Sequence, residues 1–260
     1  VSSSMGIGAT SGDISTMIAL NGCAFGCHVG ASKATYYDLP RANGVKMRID
    51  VLRESTQNLI AAAKTAANGL GNIRFAVDTF NDKVTSVVAM TSDLDSASAS
   101  VGGVDLPTYD DATDLKGALL NANAKMSTSG DGAIMANPKK FLFLVTDGVE
   151  DQIYMTTAKT FDTPDPTGAW KNTGSMNPAV CNAIKAKGIT LAVIYTRYVK
   201  FDGWQYTDLI QPFEDKIPKN LEKCSSNGFY LEATSASEID AAMQTMFKKS
   251  IAATKSRLTN

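Results

Sequence analysis

Three short stretches of this chain combine hydroxyl and carboxylate side chains where a folded sheet could gather them. The first is Val1-Ser2-Ser3-Ser4-Met5-Gly6, the second is Ala112-Thr113-Asp114-Leu115 at the opening of a helical pattern, and the third is Thr146-Asp147-Gly148 directly after an apolar run. Oxygens from Ser2, Ser4, Thr113 and Asp147 make a donor set with neither nitrogen nor sulfur. Hard oxygen donors that leave room for water suit Mg²⁺, with Mn²⁺ or Ca²⁺ as substitutes. The set predicts a hard divalent cation. A second grouping, Cys23, Cys27 and His28, could hold zinc, but a structural zinc site takes four ligands and no other His or free Cys lies nearby in sequence. A local disulfide between Cys23 and Cys27 is the expected state, with free thiols as the other alternative. His28 as a catalytic base lacks a nucleophile motif such as Gly-x-Ser-x-Gly.

In an open α/β sheet, ligands bind beyond the carboxyl ends of the strands, so these residues depend on the strands before them. Residues 141–145 are a continuous apolar run, the pattern of a strand covered on both faces, and 189–198 read as another buried strand. Residues 72–80 and 84–90 read as a hairpin closed by Asn81, Asp82 and Lys83, and 229–233 as a last short strand. Apolar residues recur at three- and four-residue spacing from Val45 to a stop at Asn68-Gly69, again over 114–126, and again over 238–257, predicting amphipathic helices. Shorter helices are expected over 93–101 and over 178–187, the latter closed by Gly188. Alternating helices and covered strands predict an α/β fold, a doubly wound, mostly parallel sheet with helices on both faces and one antiparallel edge strand. One domain over 1–260 is expected, with insertions at about 7–44 and 149–176. The loop aromatics Trp170, Trp204 and Tyr206 could form a recognition surface or plug the insertions onto the body.

Composition narrows the function classes. With 25 Lys and Arg against 26 Asp and Glu, the net charge is −1, and the basic residues are scattered. That is no footprint for nucleic acid or for an anionic membrane surface. The apolar runs are strand length and fall far short of the ~20 residues that span a bilayer. Four cysteines permit two disulfides without demanding them.

The three stretches together resemble the von Willebrand factor A domain with a metal-ion-dependent adhesion site. The family's first loop reads Asp-x-Ser-x-Ser, which Val1-Ser2-Ser3-Ser4 matches except for the Asp, falling one residue before Val1. Thr113 before Asp114-Leu115-Lys116-Gly117-Ala118-Leu119 resembles the second loop, and Phe143-Leu144-Val145-Thr146-Asp147-Gly148 the third. More narrowly, the chain is similar to the TadG-like proteins of the tight-adherence (Flp) pilus machinery. The matches are Gly-Cys-Ala-Phe-x-Cys-His at 22–28, Cys-x-x-Ile-Lys-x-x-Gly-Ile at 181–189, Cys-x-Ser at 224–226 and Tyr-x-x-Ala-x-Ser-Ala-x-Glu at 230–238.

The resemblance implies Ser2, Ser4, Thr113 and Asp147 as metal ligands, and a bacterial envelope or periplasmic location behind an upstream inner-membrane anchor. In that oxidising setting Cys181 and Cys224 are expected to pair, a bond worth on the order of 3 to 4 kcal/mol. It also implies a first strand before Val1. A central strand of about 5 to 6 residues at about 1.5 to 3 kcal/mol per buried side chain rivals the whole stability of a domain, roughly 5 to 15 kcal/mol, so further residues of the same polypeptide are expected upstream. The function expected is non-catalytic: a metal-dependent adhesion or protein-interaction module whose cation accepts an acidic side chain from another pilus component or a second copy. The alternatives are a structural envelope module with a vestigial site, and a Mg²⁺-dependent phosphoester hydrolase using Asp114 and Asp147. The latter lacks a second carboxylate cluster, a phosphate-cradling glycine loop and a positioned base.

Overall fold

The computed structural model of the chain describes residues 41–70, 73–106, 113–151, 173–198, 200, 206–207 and 210–255. Ser2, Ser4, Cys23, Cys27, His28, Trp170 and Trp204 lie outside them. In chain order the elements are α1 (Arg48–Leu70), β1 (Phe75–Phe80), β2 (Val84–Thr91), α2 (Leu94–Gly102), α3 (Leu115–Lys125), β3 (Phe141–Thr146), β4 (Val149–Asp151), β5 (Thr173–Ser175), α4 (Asn182–Ala186), β6 (Thr190–Thr196), α5 (Lys216–Cys224), β7 (Tyr230–Ala233) and α6 (Ala236–Lys255).

β3, β6 and β7 form a parallel sheet with β6 in the middle, in register from Phe141 opposite Thr190 to Thr146 opposite Tyr195. Side chains of β6 alternate between two cores, as a strand's period of two requires. Leu191, Val193 and Tyr195 pack with Leu115, Leu119, Ile184, Ile217 and Leu221 of α3, α4 and α5. Ala192 and Ile194 face the other way, against Ile60, Ala97, Met243 and Met246 of α1, α2 and α6. Two covered faces explain why β3 and β6 read as unbroken apolar runs rather than as alternating ones. The expected α/β architecture, with helices on both faces of a parallel sheet, is the one found.

The expected hairpin is also present. β1 and β2 pair antiparallel across a turn in which Asn81 N–H donates to the Lys83 carbonyl at 3.0 Å. Its described ladder is a two-stranded sheet of its own, with an irregular register between Phe75 and Asp78. α6 begins with a capping box, Ser235-Ala236-Ser237-Glu238, in which Glu238 Oε2 accepts from Ser235 N–H at 3.2 Å and Ser235 Oγ accepts from Glu238 N–H at 3.3 Å.

Three details differ from the expectations. The helix expected over 178–187 is split into a 3-10 turn, Pro178–Cys181, which Asn177 caps by accepting from Ala179 N–H, and the short α4. The stretch expected to be an irregular insertion at 149–176 begins and ends in strands, β4 and β5, which pair antiparallel with Glu150 opposite Gly174. α5 was not expected, since Pro218 sits within it. That proline is tolerated because it falls in the first turn, where its missing N–H has no helical acceptor to lose. Cys181 and Cys224, both fully buried, form a disulfide with a Cα–Cα distance of 5.2 Å, tying the 3-10 turn to the end of α5.

Candidate functional site

β3 delivers Asp147 at the carboxyl end of the sheet, and the turn after it is held from three sides. Thr146 Oγ1 accepts from Gly148 N–H at 3.0 Å, and Asp147 Oδ1 accepts from Val149 N–H at 3.2 Å. Gly148 has φ +76°, and a Cβ there would lie 2.6 Å from Ile217 Cγ2 and 2.8 Å from Leu221 Cδ1. Only glycine satisfies both the left-handed backbone and the close approach of α5. Tyr198, two residues past the end of β6, is near enough for the Asp147 carboxylate to act on its hydroxyl.

The second loop docks onto the strand that follows this turn. Thr113 and Asp151 exchange two main-chain hydrogen bonds, at 2.9 and 3.0 Å, as an isolated antiparallel bridge. Asp114 then caps α3, its Oδ1 accepting from Gly117 N–H at 2.7 Å, while its own N–H donates to the Asn81 carbonyl at 2.8 Å. Lys116 N–H, in the same first turn, donates to Glu150 Oε1 at 2.7 Å. Thr113 and Asp147 are thereby carried on adjoining loops, both half-buried. Ser2 and Ser4, the remaining members of the expected donor set, lie outside the described residues, as do Cys23, Cys27 and His28.

Charge is confined on this side of the sheet. Glu150 is 1% exposed, and burial, reinforced by the Asp114 carboxylate, pushes its carboxyl up to about 7. Burial raises the Tyr195 hydroxyl to about 12 and holds Tyr198 well above the usual tyrosine range, with Asp147 adding to both. Tyr206, one of the loop aromatics, is buried and donates its hydroxyl to Glu214 at 2.6 Å, so it plugs its loop onto the body.

Glu150 and Tyr198 were not foreseen as part of the site. A lone Glu in a three-residue strand leaves no periodic mark, and Tyr198 read as the end of a buried strand.

The donors present fit a hard cation by chemical type. Thr113 offers a hydroxyl, and a carboxylate such as Asp147 has about four lone-pair sites, of which the Val149 N–H engages one. Among the described residues no cluster of three or more His, Cys, Asp or Glu side chains is placed to hold a metal. A cation here would therefore rest on hydroxyls with few carboxylates. Asp114, the other carboxylate considered for hydrolysis, is engaged as a helix cap.

The parallel sheet flanked by helices on both faces, together with an antiparallel pair, is similar in fold to von Willebrand factor A domains. No protein-family model and no curated protein matches the sequence. Among solved structures, proximal thread matrix protein 1 from the mussel byssus, with a zinc-occupied MIDAS motif, is similar over 79% of this chain and 43% of its own, at 14% identity and a TM-score of 0.50. The pilus adhesin SpaC from Lactobacillus rhamnosus GG, in an open conformation, is similar over 78% of this chain and 28% of its own, at 16% identity and a TM-score of 0.53. The vWF domain of the type V pili tip protein Mfa5 from Porphyromonas gingivalis is similar over 78% of this chain and 88% of its own, at 13% identity and a TM-score of 0.52. The chain thus spans less than half the length of the first two. At such identities the likeness is one of fold.

Proposed function

We propose that this chain is a non-catalytic, metal-dependent adhesion or protein-interaction module, with Ser2, Ser4, Thr113 and Asp147 holding Mg²⁺ or a similar ion. An acidic side chain of a partner would complete the oxygen set. The observation that carries this reading is the Thr113–Asp151 bridge, which sets the threonine loop beside the loop of Asp147 at the carboxyl end of β3. That is the position where an open α/β sheet takes its ligands. The similar folds include a zinc-occupied MIDAS motif and two pilus proteins, which supports adhesion over catalysis.

The finer reading is a TadG-like protein of the tight-adherence (Flp) pilus apparatus. Its partner would be another component of that apparatus or a second copy, with anchoring through a segment upstream of this domain. The buried Cys181–Cys224 disulfide supports an exported or periplasmic location, since such bonds persist in oxidising compartments. No helix among the described residues is long and apolar enough to cross a membrane.

Thermal unfolding of the full chain in Mg²⁺, in Mn²⁺ and after chelation tests the proposal. Binding to the native state adds about 2.7 kcal/mol when the ion is at 100 times its dissociation constant, or roughly 5 to 10 °C for a chain of this size. Thr113→Ala should abolish most of that rise. A wild-type midpoint that millimolar metal leaves unmoved would sink the metal reading in favour of a structural envelope module.

A further inference from the structure

Among the described residues, the one buried acid on this side of the sheet is not among the ligands just proposed. Glu150 occupies the centre of β4 and is 1% exposed. Its Oε1 accepts from Lys116 N–H at 2.7 Å, whereas its Oε2 is buried with no hydrogen-bond partner among the described residues. A leucine would fill such a position without leaving a buried oxygen unsatisfied, so a carboxyl here calls for a reason other than packing.

The bond it makes supplies one. The first N–H groups of a helix have no partner within the helix. In α3 two of them are claimed from outside the regular pattern: Gly117 by the Asp114 cap and Lys116 by Glu150. The Asp114 side-chain cap is local to the loop of Thr113, and its N–H ties that loop to the hairpin turn at Asn81, so neither bond reaches the loop of Asp147. Glu150 does, because it belongs to the strand that leaves the Asp147 turn. With the Thr113–Asp151 bridge it forms a second tie, three residues further along, between the two loops. Two ties fix an orientation where one leaves a hinge.

We propose that Glu150 is a positioning residue of the candidate metal site: through its hydrogen bond to Lys116 N–H it sets the first turn of α3, and with it Thr113, against the loop of Asp147. The role belongs to the hydrogen bond and not to the charge. A neutral carboxyl still accepts through Oε1, if more weakly than an ionised one, and the absence of a partner at Oε2 among the described residues disfavours a fixed negative charge there. The inference rests on the metal reading above, and its consequence for the ion is indirect.

The test uses the full chain and Mn²⁺ as the probe, with two readouts: amide hydrogen exchange at Lys116, and Mn²⁺ affinity by titration. Glu150→Leu removes the acceptor. It should speed Lys116 exchange about fivefold to tenfold, the loss of one hydrogen bond, and weaken Mn²⁺ binding at least about tenfold, as changes behind a metal's ligands do. Glu150→Gln keeps an acceptor in place without the charge and should stay within about twofold of wild type in both readouts. Glu150→Asp keeps the charge but loses reach, and it should behave like the leucine variant; it decides the matter if leucine prevents folding. Wild-type exchange at Lys116 in the leucine or aspartate variant overturns the proposal. So does a glutamine variant that loses Mn²⁺ as the others do, since the charge would then be what matters. If the wild-type chain takes up no Mn²⁺, the metal reading fails on its own, and Lys116 exchange still decides whether Glu150 positions the loop.

Discussion

Gly148 offers the sharpest test of how the Asp147 turn is built, because the chain contains its own control. Gly148 and Gly228 have nearly the same backbone, φ +76° and +74°, but an added Cβ at 228 meets nothing within 4 Å while one at 148 meets Ile217 and Leu221 of α5 at 2.6 and 2.8 Å. An alanine in the left-handed region costs about 1 to 2 kcal/mol at either place. Forcing a methyl group into packed neighbours adds about 1 to 3 kcal/mol at Gly148 alone. Gly148→Ala should therefore lose about 2 to 5 kcal/mol and Gly228→Ala about 1 to 2. Urea unfolding followed by circular dichroism gives both values from the midpoints if the slopes agree. A further arm places Gly148→Ala in a Leu221→Ala background, where removing Leu221 Cδ1 should reduce the penalty of the new methyl, giving a coupling of about 0.5 kcal/mol or more. Equal losses at the two glycines, or strict additivity with Leu221→Ala, would refute the claim that α5 seals the turn.

Two other outcomes follow from the same side of the sheet. Burial pushes the Glu150 carboxyl up to about 7 in the folded chain from an ordinary 4.5. Between those values the native state holds a proton that the unfolded state has lost, so stability is fully present below 4.5 and is lost as pH rises through 7, by about 3 kcal/mol in all. Urea midpoints from pH 4 to 8 should show that fall for wild type and a flatter curve for Glu150→Gln; parallel curves would contradict it. For the disulfide, 43 residues of separation give about 4 kcal/mol by the chain-entropy model, and the Cys181→Ala/Cys224→Ala chain should unfold at a correspondingly lower denaturant concentration, read against the oxidised wild type.

Much of the framework could be read from the amino acids because its signals are repetitive. The apolar runs of β3 and β6 and the three- to four-residue spacing along α1, α3 and α6 each repeat a burial pattern several times. The turn residues Asn81 and Lys83 likewise announced the hairpin. Thr113 and Asp147 were legible as loop residues because each adjoins a strong pattern. What stayed hidden was set by single tertiary contacts. β4 and β5 are three residues each, too short for alternation to register, and they form a pair only because a distant partner completes the ladder. α5 was masked by Pro218, and Glu150 by the rule that a lone acid is usually a solvated one.

These hidden elements are the ones that fix the loops. β3 alone would place Asp147 at the sheet's edge but leave the direction of the following turn free. α5 removes that freedom by seating Ile217 and Leu221 on Gly148. α5 is itself restrained at two further points: Asn220 Nδ2 donates to Ser175 Oγ at 3.0 Å and to the Met176 carbonyl at 3.1 Å, and Cys224 is bonded to Cys181. Ser175 ends the strand that pairs with β4, and β4 carries both Glu150 and the Asp151 partner of Thr113. The restraints thus close a ring from Gly148 through α5 and β5 to β4 and back. A closed ring of contacts resists distortion at any one member, because a shift must break several bonds at once. That gives the disulfide, remote from the loops in sequence, a physical route to the geometry of Thr113 and Asp147.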